Sequence, residues 1–150
     1  MKKTSSYLMI LVLYGMFTLP ATLGSEYINV TGLNGGCNKV LYSNIGNTKA
    51  SDGNVFIVTG LRIEYNGEKS VSVDPSYFQL KLGSKGYNNA AATYYLDKIG
   101  KTPLPVLTLY GGGKVEGYIA YEVPENEKDE SYEMKYTGWE DVKMNDYSCS

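Results

Sequence analysis

Acid–base work on this chain would have to rest on carboxylates, lysine or tyrosine, because its 150 residues include no histidine. Histidine is the side chain that titrates near neutrality unaided and the commonest ligand for zinc. Ser-His-Asp and Cys-His catalysis and histidine-built zinc sites are therefore excluded. Glu64, Glu116 and Glu122 fall on predicted strands and are the candidates for a carboxylate pair of the glycosidase kind. Their alternation with apolar neighbours accounts for each as a surface residue, and their spacing sets no two at the separation hydrolysis requires. No catalytic residue is assigned, and the chain reads as a non-enzyme. The acidic stretch Glu125, Glu127, Asp129, Glu130 offers the oxygen donors that calcium takes, without the spacing of a calcium loop. A solvated, charged turn is the expectation there, with no metal and no cofactor.

Tyrosine is the abundant aromatic: fifteen, against three phenylalanines and one tryptophan. Its apolar body and hydrogen-bonding tip suit half-exposed strand faces and binding surfaces equally. Tyr94 and Tyr95, with Tyr87 and Tyr110 nearby in sequence, are the candidate ligand-binding residues, a stacking platform for a sugar or another protein. The plainer reading has these tyrosines covering sheet faces and edges, since aromatic enrichment in strands is ordinary. Trp139 is expected to cap the open end of the fold. Asn29-Val30-Thr31 is an N-glycosylation sequon, meaningful where the host glycosylates exported proteins.

The amino terminus supplies an address. Met1-Lys2-Lys3 is followed by an apolar run from Tyr7 to Leu19 and a small-residue exit, Pro20 to Gly24. That is the layout of a secretory signal peptide cleaved before Ser25. A retained membrane anchor is the competing reading, although about 20 consecutive apolar residues are needed to span. Lipidation is the third, but the nearest cysteine, Cys37, lies far downstream. The mature domain is thus residues 25–150, expected outside the cell or at its surface, with membrane contact only through an uncleaved leader.

Removing residues 1–24 takes away two lysines and no acid, which moves the net charge from −2 to about −4. Only one arginine, Arg62, is present, so nucleic acid, which needs a basic face, is excluded as a partner. Two cysteines in an exported chain most often form one disulfide. Cys37 and Cys149 would tie the tail to the first strand region, and a bridge between two chains through Cys149 is the alternative.

The elements that must position these residues are strands. Tyr27–Thr31 and Val40–Tyr42 are short candidates, and Asn54–Tyr65 is the strongest. Its Val55, Ile57, Leu61, Ile63 and Tyr65 share one face while Phe56 and Val58 make the other apolar too, which predicts a central strand. Val71–Val73, Phe78–Leu82, Val115–Val123 and a last strand Tyr132–Tyr136 follow, with an apolar stretch at Leu104–Leu109. From Tyr87 to Thr102 the pattern dissolves into a long connection with at most a turn of helix. About seven short strands broken by Gly, Asn and Pro turns predict an all-β antiparallel sandwich.

Three segments resemble signatures of one family of secreted and lipoprotein immunoglobulin-like domains. They are Gly53-Asn54-Val55-Phe56-Ile57-Val58 leading to Asn66-Gly67, Phe78-Gln79-Leu80-Lys81-Leu82 with Gly86-Tyr87, and Gly112 to Pro124. The family is domain of unknown function 4352, some of whose members carry a telomeric repeat-binding label, and the resemblance runs over residues 50–137. This chain has Tyr110-Gly111 where the family usually places a proline before its glycine pair, and it lacks the lipid-modified cysteine. The resemblance implies an immunoglobulin-like sandwich outside a microbial cell and brings no catalytic residues. The expected role is a non-catalytic binding or adhesion module whose partner is a protein or glycan of the cell envelope. The alternative is a self-associating structural subunit whose segment Ser25–Val30 adds as a strand to a neighbour's sheet.

Overall fold

Strand follows strand in the computed structural model, which describes residues 26–150; the leader expected over 1–24 lies outside the described residues. In chain order they are β1 (Glu26–Gly32), β2 (Lys39–Tyr42), β3 (Asn44–Ile45), β4 (Thr48–Lys49), β5 (Asn54–Tyr65), β6 (Ser70–Val73), β7 (Phe78–Leu82), β8 (Lys85–Tyr87), β9 (Leu107–Tyr110), β10 (Lys114–Pro124), β11 (Tyr132–Tyr136), β12 (Val142–Met144) and β13 (Ser148–Cys149).

β5 is the axis. An apolar strand with both faces hydrophobic must be covered on both, and Val55 through Val58 are all buried. β10 runs antiparallel along one edge, from Lys114 opposite Glu64 to Pro124 opposite Asn54. Two strands share the other edge: β1 pairs with residues 61–65 and β2 with residues 56–59. The 3-10 turn Leu33–Gly35 makes the step between them. β12 adds outside β1 in parallel, the one departure from an antiparallel pattern among the described strands.

A second sheet, in the order β13-β11-β7-β8, lies against the first. Ile28, Val30, Ile57, Ile63, Ile119 and Tyr121 meet Phe78, Leu80, Leu82, Tyr132 and Met134 in one core, closed by Val71 and Leu109 of the β6–β9 ladder. Each such side chain contributes about 1.5–3 kcal/mol on burial. The architecture is the antiparallel sandwich that the alternation predicts, immunoglobulin-like as the resemblance implies. On the outer face of the first sheet Phe56, Val58 and Ala120 form a smaller cluster with Ile45, Ala50, Ala92 and Leu96.

Several expectations change. Tyr132–Tyr136 is not the last strand, because β12 and β13 follow it. They are too short to show alternation, and their hold is partly side-chain: Asn145 Oδ1 accepts from the Val30 N–H at 2.6 Å while its Nδ2 donates to the Val30 carbonyl at 2.9 Å. That amide continues the β12 ladder past its end. Both edges of β1 are consequently taken within its own chain, which leaves Glu26–Val30 no free edge to offer a neighbour. The long connection contains a nine-residue 3-10 helix, Ala91–Ile99. Trp139, expected to cap the end of the sandwich, stays 44% exposed. Cys37 and Cys149 are bridged within the chain, across 112 residues of sequence.

Candidate functional site

The helix Ala91–Ile99 is held against β10 by its N-cap Ala90, whose N–H donates to the Ala120 carbonyl at 2.7 Å, and by one threonine. Thr93, fully buried, accepts at Oγ1 from the Ala120 N–H at 3.0 Å and donates to the Ala120 carbonyl at 3.2 Å. Its hydroxyl thereby satisfies the outer edge of β10 as a neighbouring strand would. Ala92 and Leu96 drop into the outer apolar cluster, and Gly100 ends the helix with φ 74°, a left-handed value that favours glycine. Downstream, Leu104 N–H donates to the Tyr118 carbonyl at 2.9 Å. Gly117 permits that approach, since a Cβ there would lie 2.4 Å from the Leu104 Cα.

With Ala92, Thr93 and Leu96 turned in, Tyr94 and Tyr95 are turned out, 56% and 50% exposed. Beside them the β3–β4 hairpin brings up its Gly46-Asn47 turn. A Cβ on Gly46 would stand 3.2 Å from the Lys98 side chain, so hairpin and helix touch. Between them lies a shallow cleft of about 360 Å³ lined by Gly46, Asn47, Thr48, Tyr95 and Lys98. Lys98 Nζ has an exposed, 3.6 Å contact with Asp97 and remains free to donate elsewhere. An aromatic face, an amide, a hydroxyl and an ammonium thus converge on one concavity. That set can stack on a sugar ring and hydrogen-bond its hydroxyls.

The four tyrosines grouped by sequence do not form one platform. Tyr110, 69% exposed, ends β9 next to Gly113, to which its carbonyl is bonded at 2.7 Å. Thr93 is bonded to Ala120, seven residues further along, so about 20 Å separates the two places at ~3.3 Å per strand residue. Tyr87 lies in β8 on the second sheet. Its hydroxyl donates to Glu127 at 2.6 Å, and Lys85 pairs with the same carboxylate. Lys85 first, and Tyr87 second, hold the Glu127 carboxyl below its ordinary range. Asn29 sits in β1 opposite Glu64, half-buried. The hairpin residues Asn47 and Thr48 were invisible to sequence reasoning, which had no signal to join them to Tyr95; Lys98 follows Tyr95 on the same helix.

The carboxylates have structural employment. Arg62 lies between Glu64, at 2.9 Å, and Glu116, at 3.5 Å. Glu122 is at the far end of β10, accepting from the Ser51 N–H at 2.6 Å and from Asn54 at 3.1 Å. Those bonds, the backbone one foremost, hold its carboxyl below the usual range. In the acidic turn Glu125 faces Lys128 at 3.4 Å. Among the described residues no three acidic or cysteine side chains converge as a metal site would need. A larger groove of about 650 Å³ runs between β11 and the strap 142–148. It offers no free ring: Tyr136 packs on Tyr77 and Phe78, and Tyr147 on Tyr132.

The sandwich and its signature strands define the class, an immunoglobulin-like domain. The chain belongs to the family described as domain of unknown function (DUF4352), which it matches over residues 27–146, so the likeness takes in β1, β2 and β12 as well as the central strands. Among curated proteins none matches it. Among solved structures it is similar to a Bacillus subtilis protein described as a "putative lipoprotein (ycdA)", with a TM-score of 0.54 and 22% identity. The match covers 73% of this chain and 30% of that one, so this chain spans less than a third of its neighbour, and the likeness is one of fold.

Proposed function

We propose that this protein is a non-catalytic binding module of the cell surface or extracellular space, and that it holds glycans of the envelope at the Tyr95 cleft. The observation that carries the reading is the exposed Tyr94-Tyr95 pair beside a concavity whose other walls are an amide, a hydroxyl and a lysine. Such a set recognises a polyhydroxylated ring, since one ring face finds an aromatic and the hydroxyls find donors and acceptors. The outside address is supported by the leader-like sequence 1–24, by a disulfide of the kind oxidising compartments keep, and by the description of the structural neighbour as a lipoprotein. The absence of histidine and the pairing of the strand glutamates with Arg62, Ser51 and Asn54 support a role without catalysis.

Amide NMR of the purified, oxidised protein tests this during addition of oligosaccharides from bacterial envelopes. Shifts confined to residues 44–49 and 91–99 are expected. Shifts centred on Tyr110 or on β11, or binding only by envelope proteins, would displace the glycan reading.

A further inference from the structure

We infer that the open edge of β2 is a self-association surface, on which a second copy of this chain adds its own β2 antiparallel, about a twofold axis through Leu41. β2 is hydrogen-bonded to β5 on one side only, and among the described residues nothing pairs with the backbone of its other side. The N–H and C=O groups of every second residue of β2 point outward there, a template for another strand. The four-residue strands β6 and β9 are likewise paired on one side only, but their Val71, Val73 and Leu109 are buried, and the remaining edges are partly covered or shorter. The outer edge of β10 is covered at Tyr118–Tyr121 by the segment Asn89–Leu104, and β8, β12 and β13 are two or three residues long.

The side chains of β2 point to the same use. Val40 and Leu41 are adjacent, face opposite sides of the sheet, and are 42% and 39% exposed. A solitary edge strand is ordinarily guarded by charge. Here the one charge, Lys39, is turned aside to the Glu130 carbonyl at 2.9 Å. The sequence is also self-complementary in this register. Leu41 meets its own copy, Val40 meets Tyr42 as an aromatic–β-branched pair, and Lys39 stands opposite Ser43, so no like charges oppose. Antiparallel pairing within one sheet puts the twofold axis perpendicular to it. The outer faces of both copies then lie on the same side, and the two Tyr95 clefts look the same way. This surface stands independently of what the cleft binds, although a bivalent arrangement would raise avidity for a repeating ligand.

Light scattering on the oxidised full-length protein over a concentration series tests the pairing, together with Val40→Lys, Leu41→Lys and the exposed control Val106→Lys. The mass should rise from one chain to two in the unaltered protein and in the control, and stay at one chain in both β2 variants. A single-chain mass up to about 1 mM overturns the inference. So does a dimer that survives both β2 substitutions, or one that the control abolishes equally. Amide exchange on the unaltered protein guards against a variant that misfolds. Residues 39–43 should gain protection as concentration rises, and exchange there that ignores concentration is equally fatal to the pairing.

Discussion

Thr59 Oγ1 in β5 and the hydroxyl of Tyr132 in β11 lie 2.6 Å apart in the buried core, so a single hydrogen bond crosses the sandwich from one sheet to the other. A second crossing is close by, where the Tyr121 hydroxyl donates to the Phe78 carbonyl at 2.6 Å. Sheet packing is otherwise apolar and non-directional. These two bonds fix how the sheets sit, because a slip of either would strand a polar group in the core.

Replacing Thr59 by Val leaves the Tyr132 hydroxyl without that partner and should cost about 1–3 kcal/mol. Tyr132→Phe should cost a comparable amount. The double variant should lose clearly less than the sum, because both polar groups are then gone. Urea unfolding of the four proteins measures the coupling, and strict additivity would show that the bond contributes nothing.

Reduction of Cys37–Cys149, or their joint replacement by alanine, should lower stability by about 2–5 kcal/mol. The loss should be local first: amides of β13 and the strap 142–148 should exchange faster than those of β5. Uniform acceleration across the domain would count against a strap held separately by the bridge.

Gly117→Ala places a Cβ 2.4 Å from the Leu104 Cα and must push the 102–104 segment off β10. The expected cost is about 1–3 kcal/mol. That segment continues from the helix of Tyr94 and Tyr95, so the amide shifts should spread to residues 91–99. Thermal melting and NMR together check this, and a neutral, locally silent substitution would refute the close approach.

Stability should fall in acid partly through Glu122. Its carboxyl is depressed by the Ser51 N–H, so its contribution is present above the unfolded value of about 4.3 and is lost as pH falls through the folded value. Glu122→Gln should flatten the stability profile below that point. In alkali the sign reverses: burial raises the Tyr121 hydroxyl well above its ordinary value. Its contribution is present below about pH 10 and is lost as pH rises toward the folded value. Tyrosinate absorbance should therefore show a late component that coincides with unfolding.

What the sequence made legible was what depends on pattern. β5 could be placed from Asn54 to Tyr65 because residues apolar on both faces can only be central, and β7, β10 and β11 alternate cleanly. The helix Ala91–Ile99 has no such signal, since its position is set by the Ala90 N–H and the Thr93 hydroxyl, both bonded to Ala120 on the edge of a later strand. β12 and β13 escape notice for a related reason: an asparagine amide and a disulfide hold them, and neither is periodic. Proximity in sequence misled most at the tyrosines. Tyr110 and Tyr95 flank one connection, yet they lie at places far apart along β10, one by Gly113 and the other by Ala120. The partners Tyr95 does have, Asn47 and Thr48, come from a hairpin far earlier in the chain.

The most direct measurement is calorimetric titration of an envelope oligosaccharide into the unaltered protein, Tyr94→Ala/Tyr95→Ala and Tyr110→Ala. The Tyr95 cleft as binding site predicts that the double variant loses at least about tenfold in affinity, the factor that about 1.4 kcal/mol of lost stacking produces, while Tyr110→Ala binds as before. Equal affinity in all three proteins, with the double variant still folded, would contradict it.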